Sequence, residues 1–398
     1  MDSGARVAVR ARRRILLRTM DDPSARTADK KLFTPGPLTT SRSVKEAMLR
    51  DLGSRDEAFL EAVREVRERL LGVYGLSQAS GWEAILLQGS GTFAVEAALS
   101  SCLPRTGGKL LALVNGAYGE RFVKIAGVHG IPCEVLRARE DTPIDPVAVH
   151  RALEQDPAVT HVALVHVETT SGVLNPLRAI GAVVRAARRT FFVDAMSAFG
   201  ALELDFEGAG IDFLAASSNK CLEGIPGLGF VLARRAALEA IEGRARTLAL
   251  DLHAQWRGFE KDGQFRFTPP THVVLALRRA LLELEREGGI AARGARYRTN
   301  HARLRGGMEQ LGFRAYVPAA HASPIISTFL YPKHPKFDFP EFYRRLSARG
   351  FLLYPGKLTQ ADCFRVANIG QLFLADVDAL LAAVPVVLRE MGVELETA

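Results

Sequence analysis

Short apolar runs alternate with helical patterns along the chain from residue 84 onward. The apolar runs predict seven strands, at Ile85–Leu87, Leu110–Val114, Glu134–Leu136, His161–Val167, Thr190–Val193, Phe213–Ala216 and Gly229–Ala233. Helical spacing of apolar residues lies between them, for example at Thr92–Ser101, Ala117–His129, Pro146–Glu154 and Leu177–Ala187. Strands and helices that alternate in this way build a mostly parallel sheet with helices on both faces. The pattern predicts an α/β fold around a seven-stranded sheet, with ligands bound at the carboxyl ends of the strands.

The pattern changes after about residue 275. A long helical stretch, Val274–Glu287, precedes a glycine pair, and helices then alternate with short strands to the end of the chain. We interpret residues 31–275 as a large domain and residues 276–398 as a smaller α/β domain. A chain of 398 residues that is 48% hydrophobic has enough apolar material for two cores.

Residues 1–30 differ in character from the rest of the chain. Residues 1–20 carry six arginines against one acidic residue, Asp2, and the polar stretch "DDPSARTADKK" follows Met20. We predict that residues 1–30 are a basic, disordered extension, or that Met20 is the true start. A short targeting or docking arm is the alternative.

Composition argues against several classes of protein. The net charge is +8, but +5 of it lies in residues 1–20, whereas a nucleic-acid enzyme would spread basic residues over a folded face. No apolar run reaches the roughly 18 to 20 residues of a membrane span, and residues 1–30 lack the apolar region and cleavage site of a signal peptide. The four cysteines form neither a C-x-x-C pair nor a zinc pattern with histidines. We expect a cytoplasmic protein with reduced thiols, no metal site, and no nucleic-acid or membrane partner.

A carboxylate and an amine follow two of the predicted strands. "FFVDAMSAFG" ends a strand on Asp194, and "FLAASSNKCLEGIPGLGFV" places Lys220 in a polar, glycine-rich loop. Pyridoxal 5′-phosphate (PLP) requires a lysine amine for covalent attachment and a carboxylate that keeps its pyridine nitrogen protonated. The pair therefore predicts a PLP site on Lys220, although an N-capping Asp and a surface Lys would look the same in isolation.

Three further strand ends carry residues suited to the same cofactor. In "LLQGSGTFAVEAAL", Ser90, Gly91 and Thr92 lie at a helix N-terminus, whose unpaired N–H groups and dipole suit a phosphate. In "HVALVHVETTSGVLNPL", the Thr169 hydroxyl can hydrogen-bond the phenolic oxygen of the cofactor or cap the next helix. In "VNGAYGERF", Tyr118 can stack on the pyridine ring or simply pack in the fold.

Taken together and in this order, these segments resemble fold-type I PLP enzymes of the class V aminotransferase group. The resemblance runs from about Lys31 to about Val387. It includes "LFTPGPLTTSRSVKEAML", "LLQGSGTFAVEAAL", "NGAYGER", "HVETTSGVLNP", "VDAMSAFG", "SSNKCLEGIPG", "RFTPPTH", "YPGK" and "CFRVANIG". It implies a PLP-dependent transferase fold, with a large sheet domain and a smaller C-terminal α/β domain.

The resemblance also implies which residues hold the cofactor. Lys220 would bind PLP and carry the substrate proton, and Asp194 would pair with the pyridine nitrogen. Tyr118 would stack on the ring, and Thr169 would contact its edge. The phosphate would be held by the residues at the helix N-terminus, Ser90, Gly91 and Thr92.

Two further residues concern the partner subunit and the substrate. Thr268 in "RFTPPTH" would reach the phosphate of the neighbouring subunit, which implies a homodimer. Arg365 in "CFRVANIG" would bind the acidic group of the substrate. One departure affects the substrate pocket, because Leu52 stands where many relatives carry an aromatic residue.

The implied reaction transfers the amino group of 2-aminoethylphosphonate to pyruvate and yields phosphonoacetaldehyde and L-alanine. One arginine would then hold a phosphonate and a carboxylate in turn, and the planar guanidinium suits both. Within the group, the alternatives are an alanine–glyoxylate or serine–glyoxylate transaminase and a PLP lyase that acts on a hydroxylated aminophosphonate. A cysteine desulfurase is disfavoured because Cys221 and Cys363 fit packing positions. A basic binding protein without catalysis would not need the intact pair of Lys220 and Asp194.

Overall fold

A computed structural model describes residues 29–359 and 361–395 of the chain. The predicted extension therefore lies almost entirely outside the described residues. Fourteen strands occur in the described part of the chain: β1 Lys31–Leu32, β2 Trp82–Gln88, β3 Leu110–Val114, β4 Cys133–Arg137, β5 His161–Val165, β6 Val167–Glu168, β7 Val173–Leu174, β8 Thr190–Asp194, β9 Phe213–Ser217, β10 Leu228–Arg234, β11 Ile326–Leu330, β12 Phe351–Leu352, β13 Tyr354–Pro355 and β14 Cys363–Ala367.

The same part of the chain holds twelve α-helices and two short 3-10 turns. The helices are α1 Arg42–Glu46, α2 Glu57–Gly72, α3 Gly91–Cys102, α4 Ala117–Val128, α5 Pro146–Gln155, α6 Leu177–Ala186, α7 Arg235–Glu239, α8 Leu252–Asp262, α9 Thr271–Glu287, α10 Gly289–Gln310, α11 Phe339–Ala348 and α12 Leu374–Glu390, and the turns are Ala47–Leu49 and Ala319–His321. None of the helices in the described ranges has both the length and the apolar character needed to cross a bilayer.

Seven strands form the central sheet in the order β2–β10–β9–β8–β5–β3–β4. Neighbouring strands run parallel, except that β10 is antiparallel to both β2 and β9. All seven predicted strands lie in this sheet, with bounds shifted by a few residues. Because helices pack against the sheet, runs such as "LLALV" in β3 and "HVALV" in β5 are buried at every position. The predicted α/β fold with a mostly parallel seven-stranded sheet is confirmed.

The predicted strand His161–Val167 is wrong at its last two residues. β5 ends at Val165, and residues 167–174 form a small antiparallel hairpin of β6 and β7 instead. The His166 N–H still donates to the Asp194 carbonyl at 2.9 Å, so the chain stays tied to β8 where it leaves the sheet. The turn of the hairpin carries "TTSG", in which Gly172 has a φ of 100° that favours glycine. The hairpin directs Thr169 towards the carboxyl edge of the sheet.

The fold contains two hydrophobic cores, and the larger one surrounds the central sheet. The smaller core is rich in aromatic residues, for example Phe313 and Phe364, whose ring centroids lie 5.5 Å apart. Phe33 packs into this smaller core, because β1 pairs in parallel with β12. Helix α10 contributes to both cores, through Tyr297 in the larger and Leu304 in the smaller. The domain boundaries stay a prediction. The packing of Phe33 shows that the start of the described chain belongs to the smaller core.

Candidate active site

A cavity of about 180 Å³ opens at the carboxyl ends of β5, β8 and β9. Seven of the predicted site residues line it: Ser90, Gly91, Thr92, Tyr118, Thr169, Asp194 and Lys220. The remaining lining residues are Arg121, Val165, Val167, Met196, Ser197, Ser217 and Asn219. The fold therefore brings together residues that are up to 130 positions apart in the sequence.

Lys220 lies in the loop between β9 and β10, and its amine donates to the Pro35 carbonyl at 2.6 Å. The neighbouring Gly36 packs so tightly that a Cβ there would lie 2.8 Å from Cδ of Lys220. Burial disfavours the charged amine and lowers the pKa of Lys220 to about 8, although Asp194 attracts the charge. Lys220 is therefore neutral, and able to act as a nucleophile or base, over a wider pH range than an ordinary lysine.

The Asp194 carboxylate ends β8 and is 5% exposed. One oxygen accepts a hydrogen bond of 2.9 Å from the Met196 N–H. Burial raises the pKa of Asp194 to about 6, against the effect of this hydrogen bond. No cationic side chain lies within 4 Å of the carboxylate in the described part of the chain. A protonated ring nitrogen beside Asp194 would supply that missing positive charge.

Helix α3 points its N-terminus into the cavity. It begins at Gly91, and the N-cap residue Ser90 makes no capping hydrogen bond with its side chain. The first N–H groups of a helix have no partner within the helix, so this end can bind an anion. Arg121 donates to the Thr92 hydroxyl at 2.9 Å and brings a guanidinium to the same place. A Cβ at Gly91 would lie 2.2 Å from Sδ of Met196, so a larger residue there would require the Met196 side chain to move. These groups suit a phosphate.

Tyr118 is held by a buried carboxylate at the N-terminus of helix α4. Glu168 accepts hydrogen bonds from the N–H groups of Tyr118 and Gly119, at 3.4 and 3.2 Å. The Thr170 hydroxyl donates to the same carboxylate and accepts from the Ala117 N–H. Acidic groups at a helix N-terminus are stabilising. Glu168 and Thr170 thus fix the first turn that carries Tyr118, and the Arg121 guanidinium lies 4.7 Å from the Tyr118 ring centroid.

Thr169 connects the central sheet to the C-terminal layer, which is a three-stranded sheet of order β11–β14–β13 with Arg365 on β14. Its hydroxyl is 2.7 Å from that of Ser197, and its carbonyl accepts a hydrogen bond of 3.1 Å from Nη1 of Arg365. Nε of Arg365 donates to the Pro355 carbonyl at 3.1 Å. Arg365 is only 2% exposed, yet no carboxylate lies within 4 Å of it among residues 29–359 and 361–395. The structure thus places an arginine without a counter-ion beside the cavity wall.

Three residues singled out from the sequence are not among those that line the cavity: Arg365, which reaches its wall through the Thr169 carbonyl, and also Thr268 and Leu52. Thr268 lies on an exposed stretch next to Phe267 and lines a separate surface pocket with Arg55. Thr268 is predicted to contact the cofactor phosphate of a neighbouring subunit. The structure of a single chain does not test that role, which stays a prediction. Leu52 packs against the larger core and is not among the residues that form the cavity wall.

Several lining residues were missed by the sequence analysis, above all Arg121. It lies three positions after Tyr118, a spacing that puts both side chains on one face of a helix. Ser217 also lines the cavity, and its buried hydroxyl has no hydrogen-bond partner within the described ranges. This hydroxyl can therefore donate a hydrogen bond to a ligand in the cavity.

The cavity has the groups that PLP requires. A helix N-terminus with a guanidinium matches the phosphate, Asp194 matches the ring nitrogen, and the Lys220 amine matches the aldehyde. The hydroxyls of Thr169 and Ser217 add neutral hydrogen-bond partners between these charged groups. The fold and the donor set together define a PLP-dependent transferase.

The family model described as "Aminotransferase class-V" matches residues 40–343. The chain therefore belongs to the class-V aminotransferase family, and the predicted enzyme class and cofactor, PLP, are confirmed. It is 48% identical to the 2-aminoethylphosphonate–pyruvate transaminase of Syntrophobacter fumaroxidans, over 91% of this chain and 97% of that one. It is 49% identical to the enzyme of the same name from Pseudomonas aeruginosa, with the same shares covered.

Solved structures with the same fold include two other transaminases. The pyridoxamine–pyruvate aminotransferase of Mesorhizobium loti superposes with a TM-score of 0.84 at 25% identity, over 92% of this chain and 94% of that one. The ureidoglycine–glyoxylate aminotransferase of Bacillus subtilis superposes with a TM-score of 0.84 at 24% identity, over 93% and 95%. The second likeness supports the fold alone.

Proposed function

We propose that this chain catalyses the transfer of the amino group from 2-aminoethylphosphonate to pyruvate, with phosphonoacetaldehyde and L-alanine as products. The observation that carries the proposal is the buried Arg365, which has no counter-ion in the described part of the chain. A buried charge without a partner is costly, so a fold retains one where a ligand supplies the opposite charge. Both proposed substrates carry an anionic group, and relatives at 48–49% identity bear the name of this reaction.

Arg365 serves both substrates in turn. Nη1 and Nε are held by carbonyl oxygens, which orient the guanidinium plane, and Nη2 makes no hydrogen bond to the described residues. A planar guanidinium binds either a phosphonate or a carboxylate through charge-assisted hydrogen bonds. The anionic end of each substrate is thereby fixed while its amine or carbonyl end reaches the region of Lys220.

Lys220 is proposed as the covalent anchor of PLP and as the group that moves the substrate proton. Its lowered pKa keeps part of the amine neutral near pH 8, as a base requires. Bound PLP supplies an electron sink for the pair of electrons left when the substrate carbon loses its proton. Asp194 keeps the ring nitrogen protonated in this proposal, and Ser90, Gly91 and Thr92 hold the phosphate with Arg121. Tyr118 and Thr169 position the ring.

We also propose a homodimer in the cytoplasm. Thr268 and the 44% exposed Phe267 beside it form a surface that a second subunit can cover. Phe93, at the first turn of the helix that faces the cavity, is 49% exposed. All four cysteines are free thiols, as is usual in a reducing compartment.

A single-turnover assay tests the reaction. The PLP-loaded enzyme is mixed with 2-aminoethylphosphonate, L-serine or L-alanine, and the absorbance of the lysine-bound cofactor is followed. We expect 2-aminoethylphosphonate to bleach the absorbance, pyruvate to restore it, and L-alanine to accumulate. The Lys220→Ala variant should show neither the absorbance nor turnover, because the tether and the proton carrier are both lost.

Other outcomes identify the alternatives. Bleaching by serine or alanine, but not by 2-aminoethylphosphonate, would make the chain a glyoxylate transaminase. Release of ammonia from a hydroxylated aminophosphonate without pyruvate, by loss of water and hydrolysis of the resulting imine to the aldehyde, would make it a lyase. Either result would replace the proposed substrate and leave the role of Lys220 in place.

A further inference from the structure

Lys357 lies in the "YPGK" loop that follows β13, near the proposed substrate-binding arginine. Its Nζ is 5.5 Å from the centroid of the Tyr118 ring. The proposed roles of Arg365 and Tyr118 do not involve Lys357. No carboxylate lies within 4 Å of Lys357 in the ranges 29–359 and 361–395. Lys357 thus brings a further positive charge to the Tyr118 side of the cavity, in addition to Arg121 and Arg365.

The loop that carries Lys357 is anchored on both sides. The Pro355 carbonyl accepts from Nε of Arg365, and the Thr359 N–H donates to the Glu140 carboxylate at 3.1 Å. Gly356 donates its N–H to the Cys363 carbonyl at 2.9 Å, and a Cβ at Gly356 would lie 2.0 Å from Sγ of Cys363. Only glycine permits this close approach. The backbone around Lys357 is therefore fixed relative to the strand that carries Arg365.

Lys357 and Arg365 act on the same region of the cavity. Burial is the main cause of the low pKa of Lys220, and the positive charges of Arg365 and Lys357 both add to it. The ring of Tyr354, on the strand β13 directly before this loop, has its centroid 5.9 Å from the Arg365 guanidinium carbon. The two cations therefore approach Lys220 from the C-terminal layer, where the anionic end of a substrate would lie.

We infer that Lys357 is a specificity-determining residue that supplies the second positive charge for a phosphonate dianion. The inference rests on the proposed function. It assigns the preference for a phosphonate over a carboxylate to the positive charge of Lys357. A carboxylate carries one negative charge, and Arg365 alone can neutralise it. A phosphonate near neutral pH approaches two negative charges and has three acceptor oxygens, so it can engage Arg365 and Lys357 together. Lys357 thus favours the phosphonate substrate over a carboxylate of similar length.

The test compares 2-aminoethylphosphonate with 3-aminopropanoate, which has a carboxylate in place of the phosphonate. The kcat/KM of each amine in the first half-reaction is measured for wild-type and Lys357→Gln enzymes. We expect Lys357→Gln to lower the ratio of phosphonate to carboxylate kcat/KM by roughly tenfold, through a higher KM for the phosphonate. The KM for pyruvate should change little. Lys357→Arg should keep most of the preference because it keeps the charge.

Lys124→Gln is the matched control. Lys124 is another exposed lysine, on the same helix as Tyr118, but it lines a neighbouring pocket with Glu120 and Arg137. Its removal changes the net charge equally and should leave the ratio unchanged. An unchanged ratio in Lys357→Gln, or equal increases in the KM of phosphonate, carboxylate and pyruvate, would overturn the inference. A wild-type enzyme that does not react with 2-aminoethylphosphonate would instead refute the proposed function, so the two failures are distinguishable.

Discussion

Two buried arginine sites in this molecule differ in how their charges are balanced. Arg293, 1% exposed, donates to Glu287 at 2.7 and 2.8 Å and to the Cys221 carbonyl at 2.9 Å. Arg296 beside it contacts Glu223 at 2.7 Å and Glu287 at 2.8 Å. Arg365 is equally buried, but among the described residues its guanidinium donates to the carbonyls of Thr169 and Pro355 and has no carboxylate within 4 Å. In the first site two arginines pair with two carboxylates, whereas Arg365 has no ion pair with the described residues.

The comparison distinguishes a paired cluster that stabilises the fold, at Arg293 and Arg296, from the unpaired Arg365, which we propose binds a ligand. Glu223 lies three residues after Lys220 and has a φ of 62°, unusual for a residue other than glycine. It accepts hydrogen bonds from Arg296 and from Tyr297 at 2.5 Å, so the paired cluster clamps the Lys220 loop to helix α10. Arg365 approaches the cavity from the opposite layer. Stability should therefore depend on the paired cluster, and substrate binding on the unpaired arginine.

The largest effect is expected from Arg293→Met. Removing one partner from a buried ion pair leaves an uncompensated carboxylate, which costs about 3 kcal/mol of unfolding free energy. Urea denaturation of the PLP-loaded enzyme measures this loss. The KM for pyruvate should stay close to that of the wild type in the folded fraction. A large rise in the KM for pyruvate without loss of unfolding free energy would show that Arg293 contributes to substrate binding, which contradicts the proposed difference between the two sites.

Arg365→Ala should show the converse behaviour. A charge-assisted pair contributes about 1.5–3 kcal/mol, so kcat/KM should fall about 10- to 150-fold for both the phosphonate and pyruvate. Stability should hardly fall, because the variant removes a buried charge that has no partner in the free enzyme. Arg365→Lys should also be impaired, since it lacks the planar fork. Loss of the pyruvate half-reaction alone would place the phosphonate elsewhere.

Arg121→Gln tests an arginine that lines the cavity and, like Arg365, has no carboxylate within 4 Å in the described part of the chain. Glutamine can still hydrogen-bond the Thr92 hydroxyl but brings no charge to the proposed phosphate site. We expect the affinity of the apoenzyme for PLP to fall about tenfold. Titration followed by the cofactor absorbance measures it, with pyridoxal lacking the phosphate as the control ligand. The variant should bind pyridoxal as the wild type does. An equal loss for both ligands would point to general misfolding of the site.

The smallest effect concerns the acidity of Lys220. Only the neutral amine attaches PLP, and burial lowers the pKa of Lys220 to about 8. The rate of attachment to the apoenzyme should therefore rise with pH through about 8 and level off above it. Arg365→Ala removes a nearby positive charge, so the pKa should rise and the curve should move to higher pH. A wild-type rate that keeps rising to pH 10 would mean that the amine is not shielded from water.

The sequence alone was sufficient to predict the sheet and seven of the residues that line the cavity. Buried parallel strands are continuous apolar runs, so β3 and β9 are visible without a structure. Residues directly after such strands share one edge of the sheet, and for this reason Asp194 and Lys220 could be paired across 26 positions. The strand that ends at Val165 was predicted two residues too long, because hydrophobicity does not show where a chain leaves a sheet.

Tertiary structure alone decided how the charges are balanced. Neither the residue type nor the local pattern distinguishes Arg293 from Arg365, since their partners lie on elements distant in sequence. The same holds for Lys357, whose approach to Tyr118 spans the two layers of the fold. Local sequence determines helices, strands and the residues at their ends, because these depend on near neighbours. Whether a buried charge meets a carboxylate or only backbone carbonyls depends on long-range packing, because the partners lie on elements distant in sequence.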